Sequence, residues 1–152
     1  MPSSAHQWLL VWAARRMVRD GFVVSGFDGS APRDRNWSAL PAPFTLKGVR
    51  ADAWGQRPRD SLIAFGEAKT ARDVNTAHTR QQLAMLGHTR MKGTALLCPV
   101  YIAIPRSAAY ELDRVLIDVG LIGAKNIIRL HVPHVLIEEY PYGSSEGYRT
   151  SA

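Results

Sequence analysis

The segment that most restricts the fold is the run of residues 62–65, Leu-Ile-Ala-Phe, in which four apolar residues follow one another. A strand with one solvated face alternates apolar and polar residues, whereas an unbroken apolar run is typical of a strand buried on both faces. Such a strand needs a packed layer above it and another below it. We therefore expect residues 61–69 to form an inner strand of a sheet that helices cover on both faces.

The segments around this strand predict the element order αβββαβαβ. A capping box of Ser4 and Gln7 predicts the start of the first helix, and Asp73 and Ser107 predict the N-caps of the two later helices. Three successive strands followed by helix–strand units indicate an α/β protein with a mixed central sheet flanked by helices. The predicted elements are helix 5–20, strands 22–27, 44–54 and 61–69, helix 73–86, strand 100–104, helix 107–119 and strand 127–132.

Composition limits the class of protein. Apolar residues make up 46% of the 152 residues, which supports one core without disulfides, and the lone Cys98 excludes a disulfide framework or a cysteine-built zinc site. No apolar run approaches the roughly 20 residues that span a bilayer. The N-terminus has no basic region ahead of an apolar stretch, which predicts a cytoplasmic protein. We expect one domain over residues 1–140 and a frayed, turn-rich tail over residues 141–152.

The charge of the chain favours a polyanionic partner. Lys and Arg number 19 against 13 acids, for a net charge of +6, and most of the bases are arginines in the first two-thirds of the chain. The planar guanidinium suits phosphate, although many domains of this charge bind no nucleic acid. Neither a phosphate-binding Gly-rich loop nor a dinucleotide fingerprint is present, so no nucleotide cofactor is expected.

Two carboxylates and one amine are predicted to meet at the end of the central strand. Glu67 and Lys69 point to the same strand face because side chains alternate. A hairpin joined by residues 55–60 brings Asp52 across from Glu67. Carboxylates held this way beside apolar residues need a partner, and Mg²⁺ prefers such hard oxygen ligands. The alternative is an ordinary salt bridge among the three side chains, without catalysis.

Asp52, then Glu67 and Lys69 at the end of the next strand, then Gln81 and Gln82 on the following helix, resemble the PD-(D/E)XK nuclease superfamily. These restriction-endonuclease-like proteins have an αβββαβ core, include Holliday-junction resolvases and stand-alone nucleases, and hydrolyse DNA, less often RNA, with Mg²⁺, for which Mn²⁺ substitutes. The resemblance implies that Asp52 and Glu67 bind the metal and that Lys69 orients the attacking water. It implies that Gln82, with Gln81 as the runner-up, faces the site. It also implies a homodimer, for which the apolar first helix offers a surface.

The chain departs from the family pattern in two places. Ala51 stands where many relatives have proline, and residues 5–19 contain no Asp or Glu, whereas many relatives place an acid on the first helix. His6 and Gln7 are the available replacements, but Gln7 is predicted to cap the helix and His6 to lie at the surface. This departure argues against a second metal. It leaves open a catalytically inactive module that binds DNA or a protein partner, or an assembly subunit with no nucleic-acid role.

Basic and polar side chains near Asp52, Glu67 and Lys69 in the predicted fold indicate a DNA-binding surface. Arg50 shares the strand face of Asp52, and His78 lies one turn before Gln82 on the helix. Basic side chains on turns and groups before a helix N-terminus are typical phosphate contacts. The alternative is an ion pair for Arg50, a satisfied or solvated histidine for His78, and solvated charge for the arginines of the hairpin turn and the long loop. The candidates are Arg50, Arg57, Arg59, Thr70, Arg72 and His78, with Arg33 and Arg35 in the long loop.

Overall fold

The structure is a computed structural model that describes residues 3–29 and 36–138. Its centre is a five-stranded mixed sheet of order β1-β4-β5-β6-β7, in which β1, β4 and β5 are antiparallel neighbours and β5, β6 and β7 run parallel. Arg33, Arg35 and the predicted tail over residues 141–152 lie outside the described residues. The elements are α1 (Ser4–Arg19), β1 (Val23–Phe27), β2 (Thr45–Leu46), β3 (Val49–Arg50), β4 (Ala53–Arg57), β5 (Leu62–Ala68), α2 (Ala77–Gly87), β6 (Val100–Pro105), α3 (Ala109–Asp118), β7 (Ile127–Val132) and α4 (Val135–Glu138).

Helices cover both faces of the sheet, as the apolar run in β5 predicts. Ala64 and Ala68 of β5 pack in one core cluster with α1, and Phe65 packs in a second cluster with α2 and α3. The predicted α/β class with a mixed central sheet is confirmed. The apolar side of α1 is buried against the sheet, so α1 does not offer the apolar dimer surface that was expected of it. Its buried residues are Trp8, Leu9, Leu10, Val11, Ala13, Ala14 and Met17.

The single strand predicted over residues 44–54 is wrong. The chain instead forms the small separate hairpin of β2 and β3 and then bends at residue 52 before β4 begins. The turn of the hairpin is Lys47-Gly48, with φ angles of 50° and 83°. Two consecutive positive φ angles are the mark of the tight turn that matches strand twist, and glycine is the residue that adopts them most easily. The turn was not predicted from the sequence because lysine, at its first position, is not typical of a positive φ angle.

All three predicted N-caps need correction. Ser3, not Ser4, caps α1, since its hydroxyl accepts the His6 N–H at 3.1 Å. Thr76, not Asp73, caps α2 by accepting the Thr79 N–H. The segment 106–108 forms a 3₁₀ turn, so Ser107 lies in that turn and α3 begins after it without a side-chain cap. No helix within the described ranges is long and apolar enough to cross a membrane.

Gly66 lets α1 lie close to the central strand. A Cβ built on Gly66 would lie 3.2 Å from the sulfur of Met17 and 3.3 Å from the Cβ of Ala53. The missing side chain thus allows the helix to pack against β5 at the residue just before Glu67. This packing brings the first turn of α1 to the end of β5 at which Asp52 and Glu67 lie.

Candidate active site

The ladder between β4 and β5 places Asp52 opposite Glu67. Ala53 pairs with Gly66, so the next position outward on each strand faces the other. The Asp52 N–H donates to Oε2 of Glu67 at 3.0 Å, and the Ala68 N–H donates to Oδ2 of Asp52 at 2.9 Å. Each carboxylate is therefore held by backbone from the other segment. The hairpin predicted from the sequence brings these two residues together as expected.

Glu67 is a fully buried carboxyl group. Burial, followed by the nearby negative charge of Asp52, holds the pKa of Glu67 well above its usual range, while the Lys69 ammonium opposes this shift. Its second oxygen, Oε1, has no hydrogen-bond partner among the described residues. Since buried polar atoms in folded proteins are nearly always bonded, an orphaned carboxylate oxygen points to a ligand.

Lys69 lies between the Glu67 carboxyl group and the side chain of Gln82. The Lys69 ammonium lies 3.9 Å from Oε1 of Glu67 and donates a hydrogen bond to Oε1 of Gln82. Gln82 is buried on the inner side of α2, whereas its neighbour Gln81 is exposed. The structure thus places Gln82 against Lys69, a choice that helical phase alone did not settle.

A cleft of about 330 Å³ opens beside these side chains. Asp52 and Gln82 line it, together with His78, which is exposed and one turn before Gln82 on α2. Arg50 also lines the cleft, and its guanidinium pairs with Asp28 at 3.1 Å. The full lining is Asp28, Gly48, Val49, Arg50, Asp52, His78, Gln81 and Gln82.

Two residues that the sequence did not assign to the site lie at it. Nε2 of His6, in the first turn of α1, is 3.3 Å from Oδ2 of Asp52, so the expectation of a surface histidine is wrong. The N–H of Asp28, just after β1, donates to the Asp52 carbonyl at 2.8 Å, and its carboxylate adds to the upward shift in the pKa of Glu67. The only sequence signal for His6 was the lack of an acid on the first helix.

Arg57 and Arg59 lie at the other end of the β4–β5 hairpin. Arg57 is five residue steps along the strand from Asp52, which is roughly 17 Å. Arg57 binds Asp60 at 2.8 Å and lies over the Phe22 ring, while the side chain of Arg59 is 75% exposed. The structure therefore does not bring these two arginines to the cleft.

Thr70 and Arg72 lie in the turn between β5 and α2. The Thr70 hydroxyl donates to Asp73 at 2.8 Å, and Arg72 is exposed to solvent. Because α2 begins only at Ala77, these residues do not lie directly before its N-terminus. Of the predicted DNA contacts that the structure describes, only Arg50 and His78 line the cleft.

The donor atoms suit a hard divalent cation. Within residues 3–29 and 36–138, no group of three or more His, Cys, Asp or Glu side chains is arranged to hold a metal by itself. Mg²⁺ does not require such a group, because proteins hold it by one or two carboxylates while water and substrate phosphate supply the other ligands. Asp52 and Glu67 provide two carboxylates, and Oε1 of Glu67 has no hydrogen-bond partner among the residues that the structure describes.

Comparison of the chain with protein-family models, curated proteins and solved structures gives no match. The assignment of function therefore depends on the geometry and chemistry of the cleft.

Proposed function

We propose that the protein is a metal-dependent nuclease that hydrolyses phosphodiester bonds of DNA, with a restriction-endonuclease-like αβββαβ core. The observation that carries this proposal is the pair of facing carboxylates, Asp52 and Glu67. Glu67 is fully buried, and one of its oxygens has no hydrogen-bond partner in the described part of the chain. A buried carboxylate oxygen without a hydrogen bond is costly to keep in a fold, which favours a ligand at that oxygen. The net charge of +6 agrees with a polyanionic substrate.

Asp52 and Glu67 are the residues that would hold Mg²⁺, or Mn²⁺ in its place. A bound ion of this kind polarises the scissile phosphate and lowers the pKa of an attacking water. The backbone N–H groups of Asp52 and Ala68 keep the two carboxylates in position before any ligand arrives. This preorganisation avoids a rearrangement during the reaction.

Lys69 is the residue that orients the attacking water and offsets the negative charge that develops on the phosphate. Its hydrogen bond to Gln82 fixes the ammonium beside the two carboxylates. His6 holds Asp52 from the α1 side. Arg50 and His78 line the cleft where they can contact the phosphates that flank the cut.

Nicking of supercoiled plasmid DNA tests this function. Wild-type protein with Mg²⁺ or Mn²⁺ should convert the plasmid to nicked and linear forms, and chelation with EDTA should stop the reaction. Lys69→Ala should lower the rate about 100-fold or more, because it removes charge stabilisation at the phosphate. Lys125→Ala removes an equal charge at an exposed position beyond α3 and should leave the rate unchanged.

Two results would overturn the proposal. Stable, salt-dependent DNA binding without cleavage under any divalent metal would assign the fold to the inactive binding module instead. Cleavage that survives in Lys69→Ala would place the reaction away from this cleft. The predicted homodimer is tested separately by sedimentation of the same protein with and without DNA.

A further inference from the structure

A second, larger groove lies next to the catalytic cleft. It runs between α2 and the β2–β3 hairpin and has a volume of about 730 Å³. Gln81 lines both this groove and the cleft that contains Asp52, so the two are neighbours along α2. A strand that leaves the cleft past Gln81 would reach the groove. Its lining consists of Leu46, Lys47, Gln81, Ala84, Met85, His88, Thr89 and Arg90.

The rim of the groove is basic. Lys47, His88 and Arg90 are exposed along it, and no Asp or Glu is among its described lining residues. Neither the Lys47 ammonium nor the Arg90 guanidinium has a hydrogen-bond or ion-pair partner in the part of the chain that the structure describes. Arg50, in the neighbouring cleft, is by contrast paired with Asp28. Two unpaired cations along one groove favour an anionic occupant.

The floor of the groove is apolar. Leu46, Ala84 and Met85 are partly exposed there and offer hydrocarbon and thioether surface. A duplex presents mainly phosphates and base edges to a protein. Its base faces are stacked on one another, so they cannot pack against the apolar floor. A single strand exposes the faces of its bases, which pack on apolar and sulfur-containing side chains, while its phosphates reach a basic rim.

We propose that the groove between α2 and the β2–β3 hairpin holds a single-stranded stretch of DNA adjacent to the phosphodiester that is cut. This inference rests on the proposed nuclease function and narrows its substrate to DNA with a single-stranded segment beside the cleavage point. The Lys47-Gly48 turn places one cation on the hairpin side of the strand, and Arg90 places another beyond the end of α2. The apolar floor between them receives the bases.

Fluorescence anisotropy in EDTA tests the inference without cleavage. The probes are a labelled thymidine oligonucleotide of about ten nucleotides and a blunt duplex of the same length. Lys47→Glu/Arg90→Glu should weaken binding of the oligonucleotide about tenfold or more and flatten its dependence on salt by about 1.4 in the log–log slope. The matched control Arg19→Glu/Arg114→Glu reverses the same number of exposed charges on α1 and α3.

The outcomes separate the groove from the nuclease proposal. The proposal is supported if Lys47→Glu/Arg90→Glu weakens binding of the oligonucleotide but not of the duplex, and if the charge-conserving variant Lys47→Arg/Arg90→Lys binds the oligonucleotide as the wild type does. Equal losses for oligonucleotide and duplex, or equal losses in the control, would overturn it while leaving cleavage by Asp52 and Glu67 intact. A wild-type protein that binds neither probe and cuts no plasmid would overturn both proposals. Circular dichroism of each variant checks that the exposed substitutions leave the fold unchanged.

Discussion

The two ends of the β4–β5 hairpin both carry charged side chains, but they satisfy those charges in opposite ways. At the turn end, Arg57 binds Asp60 at 2.8 Å and lies 4.9 Å from the centroid of the Phe22 ring. At the other end, the fully buried Glu67 faces Asp52, and one of its oxygens accepts no hydrogen bond from residues 3–29 and 36–138. The number of charges does not distinguish the two ends. The difference is that, among the described residues, only the Asp52–Glu67 end leaves a buried carboxyl oxygen without a hydrogen-bond partner, and that end borders a cleft.

The largest expected effect comes from removing the charge of Glu67. Glu67→Gln should lower the rate of plasmid cleavage about 100- to 1,000-fold, because the variant loses a carboxylate beside the reacting phosphate. Isothermal titration with Mn²⁺ should show weaker binding in the same variant. Glu111→Gln makes the same chemical change on α3, outside the cleft, and serves as the control. Normal Mn²⁺ affinity in Glu67→Gln would contradict the proposal that Glu67 is a metal ligand.

The raised pKa of Glu67 predicts how metal-free stability depends on pH. A carboxyl group whose folded pKa lies above its unfolded value of about 4.5 favours the folded state at low pH, and this contribution is lost as the pH rises toward the folded pKa. The unfolding free energy in EDTA should therefore fall as the pH rises from about 4.5 toward the folded pKa of Glu67.

Urea denaturation across this pH range measures the effect. Glu67→Gln should lack the decrease, because an amide does not ionise, and Mg²⁺ should restore stability to the wild type by binding the ionised carboxylate. A wild type whose pH dependence matches that of Glu67→Gln would contradict a raised pKa in the folded protein.

His6→Ala removes the support that α1 gives to Asp52. Loss of the contact between Nε2 of His6 and Asp52 should weaken Mn²⁺ binding about tenfold, as removal of a group that supports a metal ligand does. The half-saturating metal concentration for cleavage should rise in parallel. His134→Ala, beyond β7, is the matched histidine control. Unchanged metal affinity in His6→Ala would show that Asp52 is held well enough by the Ala68 N–H alone.

The smallest effect is expected at the turn end. Arg57→Ala should lower the unfolding free energy by about 1 kcal/mol, because it removes an ion pair and a guanidinium–ring contact, and should leave cleavage unchanged. Arg59→Ala should change neither, since that side chain is 75% exposed and 4.0 Å from Asp60. If Arg57→Ala instead weakens DNA binding without loss of stability, the sequence-based prediction of a DNA contact at the hairpin turn would hold.

The features that the sequence predicted are those that depend on short-range pattern. The apolar run in β5 predicts layers on both faces, and strand alternation with hairpin pairing predicts that Asp52 meets Glu67. What escaped prediction depends on contacts between distant segments. His6 reaches Asp52 only because α1 packs across the sheet at Gly66, and Asp28 arrives from the loop after β1.

The predictions of the strand over residues 44–54 and of the helix N-caps failed for a different reason, because the local sequence signals there are weak. Lys47 adopts a positive φ that few residues other than glycine, asparagine or aspartate prefer, so the hairpin of β2 and β3 resembled a continuous strand in the sequence. Among neighbouring hydroxyl and carboxyl side chains, Ser3 and Thr76 became the caps rather than Ser4 and Asp73. Residues this close in sequence compete for the same backbone N–H groups, and only the final helix geometry selects one.

The crossed hydrogen bonds between Asp52 and the Glu67–Ala68 segment make assembly of the site conditional on how the hairpin closes. If β4 slid along β5 by one residue, alternation would send one carboxylate to the opposite side of the sheet. In the proposed nuclease, cleavage activity would therefore report correct strand alignment. After refolding from denaturant, only the molecules in which β4 pairs with β5 in the native register would regain cleavage activity.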